Sequence, residues 1–194
     1  MDKFSYSIGL GIGQNLRGMG TNDLNVEDFA QAVKDVLTGA TPAISHTEAR
    51  QIVNEYFEKL EARINAENIE KGKTFLEENK KNPNVKVLPS GLQYEVIREG
   101  NGKHPKATDQ VRCHYEGTLI DGTLFDSSVR RGQPAVFGVN QVIKGWVEAL
   151  QLMSEGAKWK LYIPSELAYG AAGAGEMIPP HSTLIFEVEL LEVL

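Results

Sequence analysis

The chain has 194 residues, 41% of them hydrophobic, and a formal net charge of −6. That apolar content suffices for packed cores and argues against disorder, while the negative charge argues against a nucleic-acid binder working through a basic face and disfavours anionic membranes. A lone Cys113 cannot form an internal disulfide, and neither a basic leader start nor the roughly 20 apolar residues of a membrane span is present. A cytoplasmic protein is expected, with the periplasm as the alternative if a signal peptide has been removed.

At the N-terminus, Ile8, Ile12 and Leu16 recur every four residues, and Gly9 and Gly13 keep the same spacing. The pattern predicts a short helix over residues 5–18 with one small face, either for close packing of another backbone or as an ordinary loose terminus. A second helix follows Asn25 as N-cap, with Glu27 and Asp28 in its first turn and Val26, Phe29, Ala30, Val33, Val36 and Leu37 on one face. Gly39 ends it. The third helix opens with the capping box Ser45-His46-Thr47-Glu48 and carries an apolar stripe of Ile52, Val53, Tyr56, Phe57 and Leu60.

Residues 61–73 are mostly polar, and no proline interrupts them before Pro83. A helix continuing to Lys81 would be roughly 54 Å long, more than a small core needs, and would stand partly alone in water as a connecting arm. Three helices with so few large apolar side chains bury little area. Dimerisation through this end would supply the missing burial; packing on the C-terminal domain is the alternative. The pattern changes near Asn82-Pro83-Asn84, which divides the chain into residues 1–85, a helical dimerisation domain with a long linker helix, and residues 86–194.

The second part reads as strands. Residues 92–98 and 111–117 alternate apolar with polar, and Asp121-Gly122 between two short apolar runs signals a hairpin. Trp146, Ala149, Leu150 and Met153 fall at i, i+3, i+4 and i+7, so one helix turns a single stripe to the sheet. Residues 158–163 and 183–194 close the domain as strands. The class is α+β, an antiparallel sheet against one helix.

Conventional catalytic sets are missing. There is no phosphate loop, zinc spacing or nucleophile elbow, the four histidines are not spaced as metal ligands, and Cys113 alternates onto the buried face of its strand. No cofactor or metal is expected. What stands out instead is a set of aromatic and apolar residues at element ends and in loops: His114-Tyr115-Glu116-Gly117, Asp121-Gly122-Thr123-Leu124-Phe125-Asp126-Ser127-Ser128, Val142-Ile143-Lys144-Gly145-Trp146, Leu167-Ala168-Tyr169-Gly170, Ile178-Pro179-Pro180-His181-Ser182-Thr183-Leu184 and Phe186-Glu187-Val188-Glu189-Leu190-Leu191.

In order and spacing this set resembles the FKBP-type peptidyl-prolyl cis/trans isomerases over nearly all of residues 88–194. The helical segment before it is similar to that of the dimeric Mip-like and FklB-like bacterial members. The resemblance implies a half-barrel sheet wrapped around one helix, with a pocket between them lined by Tyr115, Phe125, Asp126, Phe137, Val142, Ile143, Trp146, Tyr169, Ile178 and Phe186. It implies an isomerase assisting protein folding, with Trp146, Phe137 and Phe186 packing the proline ring, the Ile143 N–H and the Tyr169 hydroxyl binding substrate carbonyls, Phe125 beside them, and Asp126 orienting polar groups. Proline-containing peptides, folding clients, macrolide inhibitors and a second copy of the chain are the implied partners. Chaperone activity would come from the cleft of such a dimer. The sequence departs from the family at Ala135 and Ala174, where some members place a larger side chain, and at Met177 on the loop rim.

On spacing alone other readings compete. Trp146 and Phe186 lie on stripes any such fold would bury, and Asp126 at a strand end could be a local turn cap. Tyr169 sits in a Gly/Ala-rich loop with no core to bury it, which favours binding. A non-enzymatic module that only holds proline segments is the alternative function.

Overall fold

The computed structural model describes all 194 residues. They form two compact units, 1–63 and 64–194. The first contains α1 (Lys3–Gly18), α2 (Val26–Thr38) and the start of α3 (His46–Asn79). Each helix begins at a side-chain cap: Asp2 accepts from the Ser5 N–H at 2.7 Å, Asn25 from Glu27 and Asp28 at 3.0 and 3.1 Å, and Ser45 from Glu48 at 3.1 Å. The Asp2 cap explains why α1 starts two residues before the expected 5. Gly39 closes α2 at a φ of 71°.

Little is buried in this unit. Neither α1 nor α2 has a buried residue, and Leu60 on α3 is its one buried large side chain. A methyl group added at Gly9, Gly11 or Gly13 would meet nothing within 4 Å, so the small face of α1 has no neighbour within the chain.

The second unit is an open antiparallel sheet of seven strands: β1 (Val85–Val87), β2 (Gln93–Arg98), β3 (Gln110–Leu119), β4 (Leu124–Ser127), β5 (Ala135–Gly138), β6 (Lys158–Ile163) and β7 (Leu184–Val193). Their order is β1-β2-β6-β7-β3-β4, with β5 also paired to β3. Strict alternation drives this. On β7, Leu184, Phe186, Val188 and Leu190 are buried and the residues between them are not. On β3, Val111, Cys113, Tyr115 and Gly117 do the same. One helix, α4 (Lys144–Leu152), lays Trp146, Ala149 and Leu150 on that apolar face. This is the α+β half-barrel around one helix that the resemblance implies.

The seam between units lies inside α3, ahead of the change of pattern at 85/86. Along residues 64–79 the less exposed positions are Asn65, Asn68, Gly72, Phe75, Leu76 and Asn79, one helical stripe at i, i+3, i+7, i+10 and so on. They dock on the sheet unit. Phe75 packs on Tyr162 at 6.0 Å between ring centroids, the Gln93 amide donates to the Leu76 carbonyl, and Asn79 donates to Gln93 at 2.9 Å. The arm, expected to stand partly alone in water, is docked over these residues, as the alternative of packing on the C-terminal domain had it. Half the stripe is asparagine, so hydropathy did not mark it.

Leu161 of β6 is fully buried between strands and helix. Leu161→Ala is expected to cost about 2–5 kcal/mol of stability by removing packed methyl groups. Urea titration measures this, and a loss well under 1 kcal/mol would mean that the core is not closed around β6.

Candidate functional site

One cleft, holding about 540 Å³, opens between α4, the sheet and the loop before β7. All ten residues expected to line a site meet there. Tyr115 comes from β3, Phe125 and Asp126 from β4, Phe137 from β5, Val142 and Ile143 from the turn into α4, Trp146 from α4, Tyr169 and Ile178 from the loop, and Phe186 from β7. Gln141, Gly175 and Glu176, none of them anticipated, share the lining with Ala174 and Met177.

The aromatic rings stand edge to face. Trp146 meets Tyr115, Phe137 and Phe186 with centroids 5.4, 5.6 and 5.3 Å apart and interplanar angles of 85°, 79° and 83°. Phe125 meets Phe186 at 5.4 Å and 80°. This arrangement sets ring edges against ring faces, the quadrupole-favoured geometry. It requires Gly117: a Cβ there would lie 2.6 Å from the Phe125 ring and 2.7 Å from the Phe186 ring. Trp146 and Phe186, 3% and 5% exposed, are both core residues and cleft lining, so those two readings coincide.

Polar groups are few. The Tyr115 hydroxyl donates to Asp126 at 2.5 Å, and Arg131 bridges the pair, bonding Asp126 and reaching the Tyr115 oxygen at 3.0 Å. Burial pushes the Asp126 pKa up, but the hydrogen bonds from Tyr115 and Arg131, with the Arg131 charge, outweigh it and hold the carboxyl below its ordinary range. Burial, then the bond to Asp126, pushes Tyr115 up. A turn cap is made by Asp121, which accepts from the Thr123 N–H at 2.9 Å, and Asp126 lines the cleft.

Arg131 was not legible beforehand, because a pair five residues apart across a turn follows no helical or strand period. Ser128, fully buried, pins Tyr115 by accepting from its N–H at 2.7 Å.

Among the cleft donors without a protein acceptor are the Ile143 N–H, at the N-cap of α4, the Tyr169 hydroxyl and the buried Trp146 indole N–H. Tyr169 is 40% exposed, the one half-open ring of the cleft. Cys113 lies in the core on the other side of β3's pleat from His114, and burial pushes its thiol up to about 12. It is no nucleophile.

The chain is similar to known proteins over nearly its whole length. Residues 101–191 match the family model described as FKBP-type peptidyl-prolyl cis-trans isomerase, and residues 1–96 match the domain amino terminal to it. The FKBP-type 22 kDa peptidyl-prolyl cis-trans isomerase of Escherichia coli is 51% identical over 98% of this chain and 94% of that protein. The Outer membrane protein MIP of Legionella longbeachae is 43% identical over 99% of this chain and 85% of its own length. Among solved structures, FkpA from Escherichia coli superposes with a TM-score of 0.81 at 37% identity, covering 98% of this chain and 95% of that one. No helix of the chain is long and apolar enough to cross a membrane. The expected cytoplasmic location gains no support from these relatives.

Because the folded-state pKa of Asp126 is lowered, its ionised form contributes stability above the ordinary value near 3.8, and that contribution is lost as pH falls through the folded value. Arg131→Ala removes the cation and should move the Asp126 titration up toward its ordinary value, so the contribution shrinks and its loss is complete at a higher pH. Carboxyl ¹³C shifts against pH report it, and an unmoved titration would show that Tyr115 alone holds the carboxylate.

Proposed function

The chain belongs to the FKBP-type peptidyl-prolyl cis-trans isomerases and isomerises peptidyl-prolyl bonds in protein folding, and we propose that the aromatic cleft over Trp146 is where it does so. The observation that carries this placement is the ring of edge-to-face aromatics around one apolar floor with unpaired donors at its margin. It suits the chemistry. The X-Pro bond is held planar by a resonance barrier of about 18–20 kcal/mol and exchanges unaided over tens to hundreds of seconds. No bond is made or broken in the reaction, so no nucleophile is needed.

Planar amide is the more dipolar form and is the better solvated. An apolar cleft removes that solvation and raises the planar ground state relative to the twisted one. An acceleration of about 10⁴ asks for roughly 5.5 kcal/mol of differential stabilisation. In this reading Trp146, Phe137 and Phe186 grip the proline ring, with Tyr115, Val142 and Ile178 closing round it. The Ile143 N–H and the Tyr169 hydroxyl take the flanking carbonyls, and Phe125 walls the margin. Asp126, fixed by Tyr115 and Arg131, presents a constant negative charge to the turning amide. Macrolides that mimic a prolyl segment would compete for the same floor, with Ala174 and Met177 on the rim setting their fit.

Residues 1–63 bind a second copy of the chain. Support comes from their surface: Phe4, Ile8, Val36 and Leu37 are 75%, 53%, 64% and 80% exposed, and an apolar groove of about 570 Å³ runs past Ile8, Gly9, Ile12, Phe29 and Val33. Patches of this kind mark interfaces. The open small face of α1 fits another backbone. A dimer carries two isomerase units, so one folding client can be held at two weak sites together, which is the basis for chaperone activity. The periplasmic alternative to the cytoplasm fits the name of the outer-membrane relative.

Tyr169→Ala and Phe125→Ala should each lower turnover of a proline peptide by about tenfold or more while the domain stays folded; wild-type turnover in both would mean the site lies elsewhere. Separately, the full chain should sediment as a dimer and Ile12→Asp as a monomer. A monomeric wild type would refute the pairing.

A further inference from the structure

The docked stripe of α3 takes no part in the chemistry above, yet it meets the segment that leaves the cleft's rim. The rim runs from Tyr169 to Thr183 and is closed on itself. The His181 N–H donates to the Gly170 carbonyl at 2.8 Å, and Ala174 and Ile178 exchange backbone hydrogen bonds at 2.9 and 3.1 Å. A loop cross-linked this way moves as one body, carrying Tyr169 and Ile178 with it.

Its exit is the weak point. Pro179 and Pro180 offer no backbone donor, and His181 holds a φ of 58°, a left-handed value a residue with a side chain adopts only under restraint. Ser182 secures Pro179 locally, its hydroxyl donating to that carbonyl at 2.7 Å.

The next carbonyl is secured from outside the loop. The Asn68 side-chain amide donates to the Pro180 oxygen at 3.0 Å. One turn along the helix, Gly72 admits Thr183: a Cβ at position 72 would lie 2.4 Å from the Thr183 hydroxyl oxygen and 3.3 Å from its Cβ. Thr183 is buried and leads directly into fully buried Leu184 of β7. A helix that only shielded apolar surface would need neither an amide aimed at a proline carbonyl nor a glycine at the point of closest approach.

We propose that Asn68 and Gly72 are positioning residues for the isomerase reaction. They fix the exit of the rim so that Ile178 and Tyr169 stand where the prolyl segment needs them. The inference rests on the cleft being the isomerase site, and adds that the last four turns of α3 belong to the catalytic unit rather than to a spacer.

The test uses full-length variants and a proline tetrapeptide. Asn68→Ala keeps a good helix former and deletes the donor. It should raise KM about two- to tenfold, the range one hydrogen bond can set, with kcat within about twofold and the thermal midpoint little changed. Gly72→Ala should raise KM in the same direction. Adding Thr183→Ala to it removes the clashing hydroxyl and should bring KM back toward wild type.

Lys71→Ala, on the exposed side of the same helix beside Glu67, should leave KM alone. A folded Asn68→Ala with wild-type KM overturns the proposal, whatever Gly72→Ala does to folding. So does a loss confined to thermal stability. Wild-type turnover in both Tyr169→Ala and Phe125→Ala would instead overturn the placement of the site itself.

Discussion

The pairing of β3 with β7 sets Gly117 opposite Phe186 and Tyr115 opposite Val188, and the aromatic cleft depends on that register. Side chains alternate faces with a period of two, so a slip of β7 by one residue would turn Phe186 and Val188 out of the core and bring Glu187 and Glu189 in. A row of carboxylates would then be buried without partners, at a cost that packing could not offset. The register is therefore strongly determined. It also puts the missing side chain of Gly117 at the place where two phenylalanine rings must approach.

From that register the character of the site follows. Four strands and one helix deliver rings to a single floor, and the ion pair at its edge, Asp126 with Arg131, is joined and oriented before any substrate arrives. Such a site offers a dry surface, a few directed donors and a fixed dipole. These are the means for distorting a planar amide, and they would serve poorly for attacking one. Rigidity matters here because differential binding of a twisted amide is lost if the walls can follow the planar one.

Most of the isomerase unit was legible in the sequence because its elements obey simple periods. Alternation on β3 and β7, the i, i+3, i+4, i+7 stripe on α4 and the turn at Asp121-Gly122 each point to the element found, and the ordered motifs contain nine of the ten lining residues that the fold does bring together, all but Phe137. Arg131 escaped because its partner is chosen by a turn and not by a period. Gln141 and Glu176 escaped because they are polar loop residues whose neighbours are fixed by tertiary structure alone.

The second half of α3 escaped for a more general reason. Hydrophobic periodicity finds helices that bury apolar stripes, but a helix can also dock by hydrogen bonds and close approach. Asn65, Asn68, Gly72 and Asn79 keep a perfect helical spacing while reading as solvent-facing to any hydropathy scale. A polar docking face is specific where an apolar one is merely sticky, because an asparagine amide rewards one position of its acceptor and a leucine rewards many. A helix attached in this way holds its register along the sheet unit without adding an apolar surface that could mispair during folding. That specificity is what a loop whose exit contains two prolines and a left-handed histidine lacks on its own.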